Sequence, residues 1–241
     1  MRLEPPCEVT RDKLTFDVAE IEPLLQTPSL DLKPWPEAMM TLKDGRILYI
    51  REAKIEEAPV LLEYIKKILD VDYDFYDIVG ARIYAEILGW YRKRIKDPFV
   101  LIGLIDGQLA GFGNGRMFSE DIAISFHTMA FIRGVRIGWA MYYAKTYYAL
   151  EILKAKEWWS SYESYIGWRM AGIDMAQPCY AWPDHQHELG GSQIYYVTDS
   201  YWNKVIKKYV RTITRSELVF DIPEEVKMRN RVLKVPDKVE V

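Results

Sequence analysis

Residues 122–155 constrain the fold of this chain more than any other stretch. The first part, residues 122–132, is rich in β-branched and aromatic residues, which predicts a buried strand. The second part repeats apolar residues at three- and four-residue spacing, which predicts a long helix. The members of this stripe are Ile137, Met141, Ala144, Tyr148, Ile152 and Ala155. A buried strand that leads directly into a long helix indicates a domain that mixes both element types.

The turn between strand and helix is basic and contains glycine. It runs from Arg133 to Gly138 with the sequence RGVRIG. Backbone N–H groups at a helix N-terminus have no intrahelical partner, and the helix dipole makes that end positive. Together with the side chains of Arg133 and Arg136, these groups predict a site for an anion such as a pyrophosphate. A purely structural strand–helix joint is the alternative.

The segment RGVRIGWA resembles the acyl-CoA-binding turn of the GNAT superfamily of N-acetyltransferases, which usually reads R/Q-x-x-G-x-G/A after the central strand. Arg133 and Gly138 match the first and last positions. Arg136 replaces the middle glycine, which normally lets a phosphate approach the backbone. The resemblance implies acetyl-CoA as co-substrate, held by Met129, Ala130, Phe131, Ile132, Arg133, Gly134, Val135, Arg136, Ile137 and Gly138.

The order of the preceding segments is similar to that of the same family. Residues 46–51 predict a strand, and residues 55–69 and 79–95 predict two helices. Residues 100–105 and 109–113 predict a hairpin, because Asp-Gly between β-forming runs is a strong hairpin signal. The resemblance implies an α+β fold, in which helices flank a mixed, mostly antiparallel sheet.

The segments after the long helix complete this arrangement. Residues 158–173 predict a further helix with Gly172 as its C-cap. Residues 179–182 and 193–198 predict a strand pair, followed by a helix capped by Asp199 or Ser200.

The two ends of the chain have the composition of appendages. Residues 1–42 hold six prolines and predict a Pro-rich N-terminal arm. The resemblance implies a GNAT-like acyltransferase domain over residues 43–215, and residues 216–241 predict a C-terminal strand and charged tail. Apolar residues of the arm, such as Trp35, need a surface to pack on, either their own domain or a neighbouring subunit. A homo-oligomer or larger assembly is therefore expected.

Amine acylation needs a base that takes the proton of the acceptor amine. Candidates are His127 in the central strand, Glu120 or Asp121 just before it, and Glu163 in the later helix. His127 is the candidate whose unperturbed pKa suits neutral pH. A histidine inside an apolar strand can also be a hydrogen-bonded core residue, and this alternative stays open.

The later helix departs from the family at the position of the proton donor. The resemblance places Ser164 at the family's serine, which implies a cofactor contact, and Trp168 at the tyrosine that protonates the departing CoA thiolate. An indole N–H is a donor but not an acid at working pH. Tyr162 and Tyr165 are close enough in sequence to replace that tyrosine.

Composition excludes several other classes of protein. The net charge of −3 argues against broad binding of nucleic acid. The two cysteines are too few for a disulfide framework, and the sequence lacks a long apolar run, so a cytoplasmic protein without membrane contact is expected. Asp184, His185 and His187 could bind a metal, but a polar loop is the favoured interpretation and no metal site is predicted.

The sequence therefore predicts an acyl-CoA-dependent N-acyltransferase that acts on a primary amine of a small molecule or a protein. The alternative is a catalytically inactive GNAT-fold subunit of a larger assembly, since Arg136 and Trp168 both depart from the family pattern.

Overall fold

A seven-stranded sheet forms the centre of the computed structural model, which describes residues 30–95, 97–181 and 193–239. Neighbours in the sheet follow chain order, and all pairs are antiparallel except β5 with β6. The strands are β1 (Ala38–Thr41), β2 (Ile47–Glu52), β3 (Pro98–Ile105), β4 (Gln108–Met117), β5 (Ile122–Ala130), β6 (Glu157–Ser160) and β7 (Tyr195–Thr198). Helices flank this sheet, so the predicted fold class is confirmed.

Helices cover both faces of the sheet. The α-helices are α1 (Ala58–Lys66), α2 (Tyr76–Tyr91), α3 (Ile137–Tyr147), α4 (Tyr165–Trp168), α5 (Asp199–Tyr201), α6 (Lys207–Ile213) and α7 (Glu224–Arg229). π-Helical turns extend α3 over Tyr148–Ile152 and α4 over Arg169–Asp174, and one joins α5 to α6 over Trp202–Ile206. The first two helices pack with one apolar core, and α3 packs with the other.

The stretch that dominates the sequence forms the predicted strand, turn and helix. Strand β5 ends at Ala130, two residues before its predicted end, and the helix begins at Ile137. The predicted hairpin is also present, as β3 and β4 with Asp106 and Gly107 between them. Close packing explains the glycines of this hairpin: a Cβ at Gly111 would lie 2.5 Å from Ile137 Cγ2. Helix α3 therefore lies directly on β4.

Several predictions about the C-terminal half are wrong. Residues 157–160 form strand β6 instead of the start of a helix, because the pairing of Trp158 with β5 and β7 outweighs its helical spacing. Gly172 lies inside the π-helical turn and is not a C-cap. The side chain of Thr198 caps α5, in place of Asp199 or Ser200.

Two other predicted strands shrink to single bridges. Cys179 makes one bridge to Tyr195, and Val219 makes one bridge to Met39. Neither partner offers a free edge of useful length, since β7 has four residues and Met39 lies in the four-residue strand β1. Residues 216–222 therefore do not form an edge strand.

The described part of the predicted arm packs against its own domain. Strand β1 pairs with β2, which places Met40 in the core. Trp35 is also buried, and its Nε1 donates a hydrogen bond to the carbonyl oxygen of Ile50 at 3.1 Å. Of the two packing surfaces that the sequence allowed, residues 30–42 thus use the domain itself.

The sequence predicts neither a metal site nor a membrane-spanning segment. Residues 184–191, with the possible metal ligands, lie outside the described residues. Within the described ranges, His, Cys, Asp and Glu side chains form no group of three that could hold a metal ion. Among the helices of those same ranges, none combines the length and hydropathy needed to cross a bilayer.

Candidate functional site

A cavity of about 360 Å³ opens where β5 and β6 separate. The two strands pair only at Ile122, Ala123 and Ile124 of β5. The cavity wall begins at the next residue, Ser125, and continues along β5, through the turn and into α3. Residues before and within α4 form the opposite wall. Since parallel strands normally continue side by side, this early separation creates a cleft with a closed end near Ile124.

The edge of β5 presents backbone groups to the cavity. The N–H of Phe131 donates to the carbonyl oxygen of Ala110 in β4, at 2.8 Å. Because successive N–H groups of a strand point to opposite sides, the N–H of Ala130 points away from β4 and towards the cleft. Met129, Ala130 and Ile132 border the cavity, whereas the ring of Phe131 packs on Tyr64 on the other face. Among the cofactor-binding residues predicted at this strand, Phe131 therefore has its side chain outside the cavity.

The turn before α3 is open on the cavity side. Ala140 donates the first hydrogen bond inside the helix, to Arg136, so the N–H groups of Ile137, Gly138 and Trp139 precede the intrahelical ladder. The side chain of Arg136 does not cap them. A Cβ placed on Gly134 would meet no atom within 4 Å. The turn therefore has the free amides and the space that an anion needs.

Arg136 has a backbone conformation that usually favours glycine. Its φ is 65°, in the left-handed region that costs a non-glycine residue about 1–2 kcal/mol. The side chain of Arg136 is exposed and borders the cavity, so it does not fill the turn from inside. Arg136 therefore does not close the turn, although it stands where the middle glycine of the resembled motif is expected.

Two aromatic rings frame the turn. The guanidinium of Arg133 lies 4.4 Å from the ring centroid of Tyr76, and both residues border the cavity. Trp139 borders it as well, and its buried Nε1 has no hydrogen-bond partner within the described residues. Val135 instead packs against the core beneath α3. Tyr76 and Trp139 were missed by sequence reasoning, because aromatic residues are frequent throughout this chain.

His127 forms a buried pair with a carboxylate from α2. Its Nδ1 lies 2.8 Å from Oε1 of Glu86, whose other oxygen accepts a hydrogen bond from Asn114 Nδ2 at 2.7 Å. Its Nε2 lies 3.7 Å from Oε2 of Glu163, and Glu163 also pairs with Arg82. The structure thus brings together two of the predicted catalytic residues, His127 and Glu163, at the cavity wall.

The carboxylates around His127 raise its pKa. Burial lowers the pKa of His127, but the negative charges and hydrogen bonds of Glu86 and Glu163 outweigh that effect and leave the pKa above its ordinary value. The pKa of Glu163 is lowered: burial raises it, but hydrogen bonds and charges from His127 and Arg82 prevail. The imidazole is therefore a stronger base than a free histidine. Glu120 and Asp121 do not border this cavity.

Two polar residues at this site were missed by sequence reasoning. Asn114 occupies a β-bulge of β4, where Oδ1 accepts the N–H of His127 at 3.0 Å. Lys145 of α3 is buried, and Nζ donates to the carbonyl oxygens of His127 at 2.8 Å and Asn114 at 3.3 Å. The only sequence signal for Lys145 was a charged residue beside the apolar stripe of its helix. The signal for Asn114 was a polar residue between two glycines of a strand.

The predicted tyrosines occupy different parts of the cavity wall. Tyr162 donates to Gln177 Oε1 at 2.7 Å, and its hydroxyl accepts from Ser160 Oγ at 2.9 Å. Burial raises the pKa of Tyr162 well above its ordinary value. Tyr165 borders the mouth of the cavity and is 60% exposed. Tyr162 therefore meets the cavity interior, and Tyr165 meets its entrance.

Ser164 and Trp168 make local contacts within the described residues. Ser164 Oγ accepts the N–H of Gly167 at 3.0 Å and so caps α4, although the residue also borders the cavity. The N–H groups of Tyr165 and Ile166 donate to the carboxylate of Asp74, at 2.8 and 3.2 Å. Trp168 Nε1 donates to Tyr195 at 3.1 Å and does not border the cavity.

No family model and no curated protein matches this chain by sequence. Its structure is similar to that of an uncharacterized protein from Bacillus halodurans, with a TM-score of 0.53 and 8% identity over 75% of this chain and 99% of the other. The GNAT domain of S. lividans PAT is similar with a TM-score of 0.48 and 14% identity, over 67% of this chain and 96% of the other. Mycobacterium smegmatis RimJ in complex with CoA-disulfide is similar with a TM-score of 0.49 and 9% identity, over 74% of this chain and 95% of the other. At these identities the similarity concerns the fold alone.

Proposed function

We propose that this chain is an acyl-CoA-dependent N-acyltransferase acting on a primary amine of a small molecule or a protein, since its mixed, mostly antiparallel sheet with flanking helices is the arrangement that the resemblance of its sequence to the GNAT superfamily implies. One observation carries the proposal: the open turn before α3 and the side chain of His127 border the same cavity, and Glu86 holds His127 in place from behind. A cofactor-sized anion site and a base are the two parts that this reaction requires. The inactive-subunit alternative gains no support from the turn, since the space over Gly134 is open.

The turn and the edge of β5 hold the co-substrate in this proposal. The N–H groups of Ile137, Gly138 and Trp139 bind the diphosphate at the positive end of α3, assisted by Arg133 and Arg136. The N–H of Ala130, on the cleft side of β5, binds the co-substrate beyond the diphosphate and helps to polarise the thioester carbonyl, whose oxygen gains negative charge during the reaction. The acyl group then lies near His127, deeper in the cleft.

His127 is the general base of the proposed reaction. Glu86 holds the proton at Nδ1, which leaves Nε2 as the acceptor on the side of Glu163. As the amine nitrogen bonds to the acyl carbon, the C–S bond breaks, and the amine proton passes to His127 directly or through a water. Tyr162 or Tyr165 protonates the thiolate, and single Tyr→Phe variants assayed in parallel distinguish the two.

The pH dependence of this reaction follows from the raised pKa of His127. The imidazole must be neutral to accept a proton, so we expect kcat/KM to rise with pH, with a midpoint above the ordinary histidine value of about 6.5. The protonated form stabilises the fold at low pH, and this stabilisation is lost as pH rises through the folded-state pKa. A pH–rate profile that stays flat from about pH 6 to about pH 9 would contradict the assignment, because a base with a pKa above about 6.5 should titrate in that range.

Replacing Arg133 with alanine tests the binding turn. We expect CoA to bind about tenfold or more weakly, because a charge-assisted hydrogen bond to phosphate contributes about 1.5–3 kcal/mol. Isothermal titration calorimetry with acetyl-CoA measures the change. Arg211→Ala is the matched control, since Arg211 is exposed, pairs with Glu217 and does not border the cavity.

Two outcomes of that titration contradict different parts of the proposal. Equal affinity of Arg133→Ala and the wild type would remove the diphosphate assignment. If the wild type shows neither a heat of binding nor a thermal shift at millimolar acetyl-CoA, the proposed enzymatic function is wrong. The predicted homo-oligomer has a separate test: light scattering on a chain that begins at Leu30, which keeps Trp35 and strand β1, should give fewer subunits per particle than the full chain. An unchanged number of subunits would show that the arm does not build the assembly.

A further inference from the structure

A buried lysine stands at the closed end of the cleft. Lys145 borders the cavity, and its Nζ donates to the carbonyl oxygen of His127, the residue whose side chain is the proposed base. The same Nζ lies 5.7 Å from the ring centroid of Trp158. Trp158 pairs with Ala123, where β5 and β6 are still joined. In the proposed binding mode, Lys145 therefore lies beyond the reacting carbon, on the side to which the acyl chain points.

The ammonium of Lys145 lacks an adjacent negative charge. Within the described residues, no carboxylate lies close enough to form an ion pair with it, and both of its hydrogen-bond acceptors are neutral carbonyl oxygens. Glu86 acts on it only through charge at longer range. Burial lowers the pKa of Lys145 to about 7, against that weaker opposing effect of Glu86. A buried cation without a paired anion is costly, and it is stabilised by an anion that enters from the cavity.

Other polar groups surround the same end of the cavity. Ser125 is buried there, and the hydroxyl of Tyr142 accepts a hydrogen bond from Gln177 Nε2 at 2.7 Å. The methyl of an acetyl group would offer the ammonium of Lys145 no opposite charge. A carboxylate would pair with Lys145 and accept hydrogen bonds from hydroxyls nearby.

We propose that the acyl group of the co-substrate ends in a carboxylate, as in a dicarboxylic acyl-CoA, and that Lys145 is its counter-ion. This inference rests on the proposed function, because it assigns the acyl end of the same cleft. It makes Lys145 a specificity-determining residue, while His127 keeps the role of base. The two backbone hydrogen bonds of Lys145 orient its ammonium, and the third N–H bond remains for the ligand.

The test compares three ligands with the unchanged protein: CoA, butyryl-CoA and succinyl-CoA. Butyryl-CoA and succinyl-CoA have the same number of acyl carbons and differ at the terminal methyl or carboxylate. We expect succinyl-CoA to bind at least about tenfold more tightly than butyryl-CoA by calorimetry, the effect of one charge-assisted contact. Equal or weaker binding of succinyl-CoA would overturn the inference and leave the enzyme proposal intact if CoA itself binds. Failure of all three ligands to bind would overturn both.

Proton uptake is an independent measurement on the same samples. The titratable groups near Lys145 are Glu86 from α2 and His127 of β5, and Tyr142 of its own helix borders the same cavity, with the neutral Trp158 from β6. An anion beside Lys145 favours its charged form, so succinyl-CoA should take up a proton near neutral pH and butyryl-CoA should not. Titrations in buffers of different ionisation enthalpy measure this difference. Equal uptake with both ligands would contradict the assignment.

Lys145→Met identifies the group that responds. Methionine has a similar length and no charge, so the variant should lose both the preference for succinyl-CoA and the proton uptake but still bind CoA. A preference that persists in the folded variant would overturn the role of Lys145. If the variant does not fold, the ligand comparison and the proton uptake of the wild type still decide the question.

Discussion

Replacing His127 with glutamine should lower kcat by about 10²- to 10⁴-fold, the usual contribution of a general base. His127 borders the cavity, its Nδ1 is fixed by Glu86 at 2.8 Å, and its pKa is raised by carboxylates on both sides. Glutamine retains a polar side chain in the buried site but cannot accept a proton. Steady-state rates with an acyl-CoA and an amine acceptor identified by screening measure the effect. Affinity for CoA should not change.

A fold defect must be separated from a loss of catalysis in this variant. Lys156→Ala is a suitable surface control, because Lys156 is exposed, pairs with Asp121 and lies outside the cavity wall. A variant His127→Gln that binds CoA normally and retains wild-type kcat would leave His127 as a core residue only.

The carboxylate of Glu86 can be tested through the same base. Glu86→Gln removes a negative charge beside the imidazole, so the pKa of His127 should fall and the rising limb of the pH–rate profile should move to lower pH. A purely structural role of Glu86 would lower activity without moving this limb. The position of the limb therefore distinguishes the two roles.

Replacing Trp158 with alanine should lower the free energy of unfolding by about 3–5 kcal/mol, as expected for a large side chain removed from a core. Trp158 is fully buried, and its ring stacks on Phe99 with 6.2 Å between centroids. Its Nε1 has no hydrogen-bond partner within the described residues, so the expected loss comes from packing. Urea denaturation followed by circular dichroism measures the change.

The neighbouring tryptophan provides a matched control on the same strand. Trp159 points to the other face, is partly exposed and donates to Glu157 through Nε1 at 2.7 Å. We expect Trp159→Ala to cost less than about 2 kcal/mol, since it opens no internal cavity. Equal losses for the two variants would contradict the assignment of residues 157–160 to strand β6.

Local patterns in the sequence determined the elements that depend on near neighbours. The hairpin of β3 and β4 follows from Asp106-Gly107 between two apolar runs, and α3 follows from its stripe of apolar residues. The turn before α3 was identified from Arg133 and Gly138, because glycines and charges at a strand–helix junction have a local physical meaning. His127 and Glu163 were selected as candidate bases from residue type and position alone.

Only the tertiary structure decided which residues share the site. Glu86 and His127 are 41 positions apart, and nothing near Glu86 in the sequence distinguishes it from other helical glutamates. The same holds for Lys145, whose sequence signal is only a charge beside the apolar stripe of α3 but which meets the carbonyl oxygens of two strands. The residues of β6 were predicted to begin a helix, but their pairing with β5 makes them a strand. Burial and strand pairing are properties of the assembled sheet, so the chemistry of this cleft could not be derived from local sequence patterns.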